Sequence, residues 1–249
     1  MPDLKLGLER CSTCPIRNRA VCSYSSPAEL TELESAKFYR DFQVGQEIVA
    51  EGERTTSVGS VVSGVVALYK MLEDGRRQMV GLLFASDFIG RPMRVLAPFD
   101  AIAVTPVRMC LFHRSNFEGL LKESRALERR LLEMTLDELD ASRAWMLLLG
   151  RKTAREKLAS FILMLARRTA DLDGNDLAPG LKVTNPLSRE TIGDFLGLTI
   201  ETVSRQFTNL KNDGVFSLPS RHDIVLEDIP ALLSLAGEEN IDLPGCVRA

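Results

Sequence analysis

Residues 187–213 read LSRETIGDFLGLTIETVSRQFTNLKND, and their spacing predicts two short helices joined by a tight turn. Ser188 stands where an N-cap is wanted, because a short hydroxyl can accept from a backbone N–H that the first helical turn leaves unpaired. Leu187 and Ile192 flank that position with the spacing of a hydrophobic staple. Ile192, Phe195 and Leu196 recur at helical intervals and give the first helix one apolar face. Gly197 can adopt the positive φ that ends a helix. Thr199 caps the next helix, whose expected buried face is Ile200, Val203, Phe207 and Leu210, and Asp213-Gly214 stops it.

A short helix, a glycine turn and an amphipathic second helix are the parts of a helix-turn-helix, whose second helix enters the major groove. Glu201, Ser204 and Arg205 lie at i, i+3 and i+4 early in that helix and so share its solvent face. Arg can bridge guanine O6 and N7, Glu can accept from cytosine N4, and Ser can do either. Alone, these three residues would suit the wet face of any helical hairpin. The two caps, the turn and the hairpin-like VFSLPSRHDIVL that follows weigh for double-stranded DNA. Lys211, further along the helix, is placed for a phosphate.

The stretch IGDFLGLTIETVSR resembles the signature of the bacterial regulator superfamily that contains the cyclic-AMP receptor protein and the fumarate-and-nitrate-reduction regulator, FNR. Glu-x-x-Ser-Arg is the FNR-type recognition triplet. The likeness implies sites of the form TTGAT with the inverted partner ATCAA.

Five cysteines form the second informative pattern: Cys11, Cys14, Cys22, Cys110 and Cys246. The first three make C-x2-C-x7-C. A C-x2-C clip brings two thiolates onto one metal centre, and both zinc and Fe–S clusters use it. Residues 1–10 are charged and lack an apolar run, so the expected location is the cytoplasm, where a structural disulfide is not favoured. That leaves a metal or a redox switch. FNR proteins hold a [4Fe-4S] cluster with three N-terminal cysteines and one from the sensor domain, and this resemblance implies Cys11, Cys14, Cys22 and Cys110 as ligands. The Cys14–Cys22 gap holds seven residues where the best-known members have five, a departure shared by a branch of the family. His113 offers a different set, zinc on Cys11, Cys14, Cys22 and His113. Cys246, near the C-terminus, is expected to be a bystander.

Short Val-, Ile- and Leu-rich runs punctuated by glycine over residues 31–118 predict a β-roll, with VVALYKM and RRQMVGLLF as a hairpin turning at Asp74-Gly75. By resemblance this is the superfamily's cyclic-nucleotide-binding fold. Its Arg-Ser-Ala phosphate cradle is missing, because the matching region reads RPMRVLAPFDAIAV. Cyclic AMP is therefore not the expected ligand, and Arg91 and Arg94 read as surface residues. Residues 119–149 lack proline and predict one long helix bracketed by Gly119 and Gly150. Leu132, Leu139 and Met146 recur every seven residues with Leu136 between, a coiled-coil seam, while Leu131, Trp145 and Leu148 face elsewhere, toward the roll. The family dimerises through this helix, which implies a homodimer. The loop Glu73–Arg76 is the implied contact with RNA polymerase.

The expected fold is α+β: a cysteine arm over 1–30, an N-terminal β-roll over 31–118, a long dimerisation helix over 119–150 and a C-terminal winged helix-turn-helix over 151–249. A length of 249 residues accommodates two domains with real cores. Net charge is −3, yet residues 151–211 hold ten Lys/Arg against seven Asp/Glu while residues 212–249 hold two against seven. The modest basic field thus covers the helix-turn-helix, as phosphate contact requires. No apolar run is long enough to cross a membrane. The absence of Walker A, G-x-G-x-x-G, H-E-x-x-H and G-x-S-x-G motifs argues against an enzyme. The alternatives kept open are a zinc or thiol redox regulator on the same scaffold and an Fe–S redox protein.

Overall fold

The computed structural model describes residues 10–237. The chain divides into two compact units, Met1–Leu136 and Asp137–Ala249.

In the first unit a 3-10 turn at Cys11–Thr13 leads through a series of tight turns to α1 (Pro27–Ala36). Ser26 caps α1 in a reciprocal box with Glu29. Eight strands follow: β1 (Lys37–Phe42), β2 (Glu47–Val49), β3 (Ser57–Ser63), β4 (Val66–Met71), β5 (Arg77–Leu83), β6 (Phe88–Ile89), β7 (Asp100–Ala103) and β8 (Val107–His113). They form two antiparallel sheets, ordered β1-β8-β3-β6 and β2-β7-β4-β5. Phe42, Val61, Val66, Leu68, Met109 and Leu111 share the core of this roll. The β4–β5 hairpin turns at Gly75, whose φ is +85°. The roll begins at Lys37, later than expected from residue 31, because the capping box and Pro27 commit residues 27–36 to a helix.

The expected single helix over 119–149 is two. α2 (Arg114–Glu123) ends at Ser124, and α3 runs Arg125–Arg151 through the boundary between the units. Ser124 has extended backbone, and its hydroxyl accepts from the Leu127 N–H at 3.1 Å, so it caps α3. Gly119 lies inside α2, and Gly150 lies within α3 rather than beyond it.

The second unit contains α4 (Ala154–Asp173), β9 (Lys182–Thr184), α5 (Arg189–Leu196), α6 (Ile200–Asn212), β10 (Phe216–Ser217), β11 (Asp223–Leu226) and α7 (Ile229–Ala236). Thr153 and Glu156 form a capping box on α4, whose Leu158, Phe161, Ile162 and Leu165 are buried at helical spacing. The wing is a three-stranded sheet ordered β10-β11-β9. Strand β9 is too short and polar to be read from pattern. Among the described residues no helix is long and apolar enough to cross a membrane.

Candidate functional site

Ser188 accepts from the Thr191 N–H at 3.0 Å and Thr199 from the Thr202 N–H at 3.3 Å, so both expected caps form. Gly197 takes φ +62°, a value that a Cβ would strain, and turns the chain between α5 and α6. The nearly buried Lys157 donates its ammonium to the Leu196 carbonyl at 3.2 Å, neutralising the negative end of α5. Val203, Phe207 and Leu210 are buried, but Ile200 is 47% exposed. Ile200 opens α6, and a helical side chain leans toward the N-terminus, where nothing of the helix remains to cover it.

Glu201, Ser204, Arg205 and Lys211 all stand exposed on α6. The Glu201 carboxyl is held below its ordinary range by the backbone N–H at the helix start and by Thr199. Sequence reasoning missed Arg189. Its guanidinium lies 3.0 Å from the centre of the Phe207 ring, burial pulls its pKa down to about 10, and Nη1 has no hydrogen-bond partner. A cation held against an aromatic ring at the first turn of α5 supports the DNA-facing motif, and no periodicity reveals it.

On α3, Leu132, Leu136, Leu139 and Met146 are 59, 52, 45 and 65% exposed, and Leu147 extends this apolar strip. Leu131 joins the apolar cluster beside the roll, as expected. Trp145 instead stacks on Phe195 of α5 with ring centroids 3.8 Å apart, because the second unit supplies a flat aromatic partner that sequence spacing cannot show.

Cys11, Cys14, Cys22 and Cys110 line one small cavity, with about 20 Å3 of space for water-sized atoms. The arm supplies the first three and β8 the fourth. Ile16, Ala20, Val21, Leu33, Tyr39 and Phe112 make the wall largely apolar. Antiparallel register sets Ser60 of β3 opposite Cys110. Gly59 makes that pairing close: a Cβ there would fall 2.0 Å from the Cys110 carbonyl oxygen. The Cys11 N–H donates to Glu34 at 2.6 Å, and the Lys37 ammonium donates to the Cys11 sulfur at 3.4 Å. Burial pushes the thiols up, Cys22 to about 11 and Cys110 to about 12, with Arg17 and Lys37 respectively opposing the rise. Cys11 also rises through burial, against the pull of Lys37.

The donor set fits a multi-iron group. Four soft sulfurs face one apolar space, and the Ser60 hydroxyl is buried in its lining without a partner, a cost normally borne for a reason. Among the described residues no three His, Cys, Asp or Glu side chains gather as a single-metal site. His113 does not join the thiols. Its ring packs on Phe38 with centroids 5.0 Å apart, because β8 has alternated away from the cavity by that residue. Cys246 lies outside the described residues. Lys37 and Ser60 carry no sequence signal, since they reach the thiols only through the arm's fold and the sheet register.

Residues 39–124 match the model of the cyclic nucleotide-binding domain, and residues 156–235 match that of the Crp-like helix-turn-helix domain. The transcriptional activator protein FnrL of Cereibacter sphaeroides is 49% identical over 94% of both chains. The nitrogen fixation regulation protein FixK of Bradyrhizobium diazoefficiens is 42% identical, over 84% of this chain and 86% of its own. Among solved structures, FixK2 of Bradyrhizobium japonicum superposes with a TM-score of 0.71 at 35% identity, covering 80% of this chain and 96% of that one. With both domain models matched and near-full-length relatives at this identity, the chain belongs to the Crp/FNR family of DNA-binding transcription regulators.

Proposed function

We propose that this protein is an oxygen-responsive regulator that holds a [4Fe-4S] cluster on Cys11, Cys14, Cys22 and Cys110 and binds TTGAT-type inverted repeats as a homodimer. The observation that carries this reading is the meeting of three arm cysteines and one strand cysteine at a single apolar cavity. When bound, such a cluster supplies a group that oxygen dismantles. The protein's own residues do the rest. The apolar wall keeps bulk water from the thiols, and the Lys37 ammonium stands beside Cys11, where it favours the thiolate that ligation requires. The Ser60 hydroxyl is free to donate toward a sulfur acceptor. Four cysteine thiols at one apolar cavity are the ligand set that an Fe–S cluster takes, and zinc is the alternative that metal analysis tests.

The exposed strip Leu132, Leu136, Leu139 and Met146 is assigned to the partner protomer, and Crp-family regulators typically act as dimers. Replacing Leu139 with Glu sets like charges near each other across a two-fold axis, and anaerobic sedimentation should then report a monomer. The roll is assigned no cyclic AMP. Where a phosphate cradle would offer backbone donors, the Met93 N–H is taken by the Glu118 carboxylate at 2.9 Å. Activation follows the naming of the Cereibacter relative, and the exposed Glu73–Arg76 turn is assigned to RNA polymerase in the cytoplasm. The deciding experiment is iron, sulfide and zinc analysis of protein purified without oxygen. Brown protein with about four irons and four sulfides per chain is expected for one such cluster. Colourless protein, or zinc in place of iron, overturns the reading.

A further inference from the structure

The seven residues between Cys14 and Cys22 are tied down by two arginines. Arg17 donates from Nη1 to the carbonyls of Cys22 and Ser23, each at 2.7 Å, and from Nη2 to Ser25 at 3.0 Å. One guanidinium thus closes the turn that presents Cys22. The second arginine comes from α3: Arg130 Nη2 donates to the Arg19 carbonyl at 2.9 Å. Tyr24, just past Cys22, lies beneath the guanidinium groups of Arg129 and Arg130, at 5.7 and 5.5 Å from its ring centre, and hydrogen-bonds Glu133. Glu133 in turn pairs with Arg129 at 3.0 Å and Arg130 at 3.4 Å. Below this polar layer Val21 packs in one apolar cluster with Leu127, and Cys22, Leu131 and Met134 border it. The start of α3 is anchored to the arm a second time, because the Ser124 hydroxyl that caps it donates to Glu29 of α1.

We propose that Arg130 is a positioning residue that couples the Cys14–Cys22 loop to α3, so that ligation of Cys14 and Cys22 is felt along the helix that bears Leu132 and Leu136. With both thiols held, the loop has one conformation and its Arg19 carbonyl stays on Arg130. With the thiols released, the loop gains alternatives, and Arg130, Tyr24 and Val21 lose their fixed partners together. The first turns of α3 are then less ordered and pay more to enter a dimer, which is a coupling free energy between two sites. A lysine at position 130 could reach one carbonyl, but it lacks the flat fork that serves Arg19, Glu133 and Tyr24 at once.

This proposal rests on the cluster reading above. The test compares wild type, Arg130→Ala and Arg130→Lys as full-length proteins without oxygen. For each, iron content is measured, then the dimer dissociation constant of the iron-loaded and iron-stripped forms. In wild type, stripping should weaken the dimer by about tenfold or more. In Arg130→Ala the loaded protein should keep its iron while that ratio falls toward one, and Arg130→Lys should restore part of it. An unchanged ratio in Arg130→Ala overturns the coupling and leaves the cluster reading standing, whereas wild type without iron overturns both. Hydrogen exchange of the unmutated protein decides the matter even if a variant fails to fold. Stripping iron should speed exchange in residues 15–25 and 127–135 together, and a change confined to the arm overturns the proposal.

Discussion

Glu201, Ser204 and Arg205 come from one turn of one helix and stand in solvent. Cys11, Cys14, Cys22 and Cys110 come from an arm and from the last strand of the roll, and they face an apolar cavity. The first set is held by two caps and a glycine within its own segment. The second exists only because β8 lies beside β3 and the arm folds over both. A local, exposed site tolerates change around it, because its geometry depends on few contacts. A site assembled from distant segments and buried transmits every shift of the sheet to its thiols, because close-packed interiors have no slack to absorb it.

The sharpest break of this contrast is Cys110→Ala, which should abolish iron retention after anaerobic reconstitution, while Cys246→Ala should retain it in full. Full iron in Cys110→Ala would mean that the arm alone makes the site. Next comes Gly59→Ala, which touches no thiol. Its new methyl would meet the backbone of Cys110 and Leu111 at 2.0 and 2.8 Å, and overpacking of this kind costs about 1–3 kcal/mol. Both melting temperature and iron content should fall. By contrast, Ser204→Ala on α6 should leave both unchanged. If Gly59→Ala keeps full iron, the sheet register does not control the cavity.

On the exposed side, Arg205→Ala should cost on the order of 1–3 kcal/mol per half-site and relax the preference at one base pair. Lys211→Ala should weaken all sequences alike and lower the salt slope by about one. Binding to single-base variants of a TTGAT-type site at fixed salt separates the two. A uniform loss in Arg205→Ala would reassign that residue to the backbone.

The smallest effect concerns the half-buried thiols without iron. Folded Cys22 and Cys110 lie at about 11 and about 12, above the ~8.5 of a free thiol. Groups raised by folding contribute stability that is intact below the unfolded pKa and is lost as pH climbs toward the folded one. The iron-free protein should therefore melt lower, by on the order of 5 °C, between pH 8 and pH 10. A flat profile would show that the thiols are as wet as the residues of α6.

Legibility followed the range of the contacts. Residues 187–213 carried their caps, turn and apolar periodicity in the open, so α5 and α6 were readable nearly to their ends. Ile200 has the periodicity of the buried face yet is exposed, because periodicity marks faces and not helix ends. The sequence pattern runs on across Ser124 because a cap inside a polar run looks like ordinary surface, and spacing cannot aim Trp145 at Phe195 because that partner is distant in sequence. Spacing marks Cys11, Cys14 and Cys22 as a metal or redox clip and the family resemblance implies Cys110, but neither points to Lys37, Ser60, Arg17 or Arg130.

The order of residues carries the helix-turn-helix with its exposed triplet and the C-x2-C-x7-C arm, because both rest on residue types at short intervals, while the resemblance to the FNR family implies Cys110 as the fourth thiol. The tertiary structure alone decided that those thiols share one apolar cavity, that Gly59 lets β3 lie against Cys110, and that the cysteine loop is fastened to α3 by Arg130. These are consequences of antiparallel register and of side chains reaching across elements, and neither is encoded in the order of neighbouring residues.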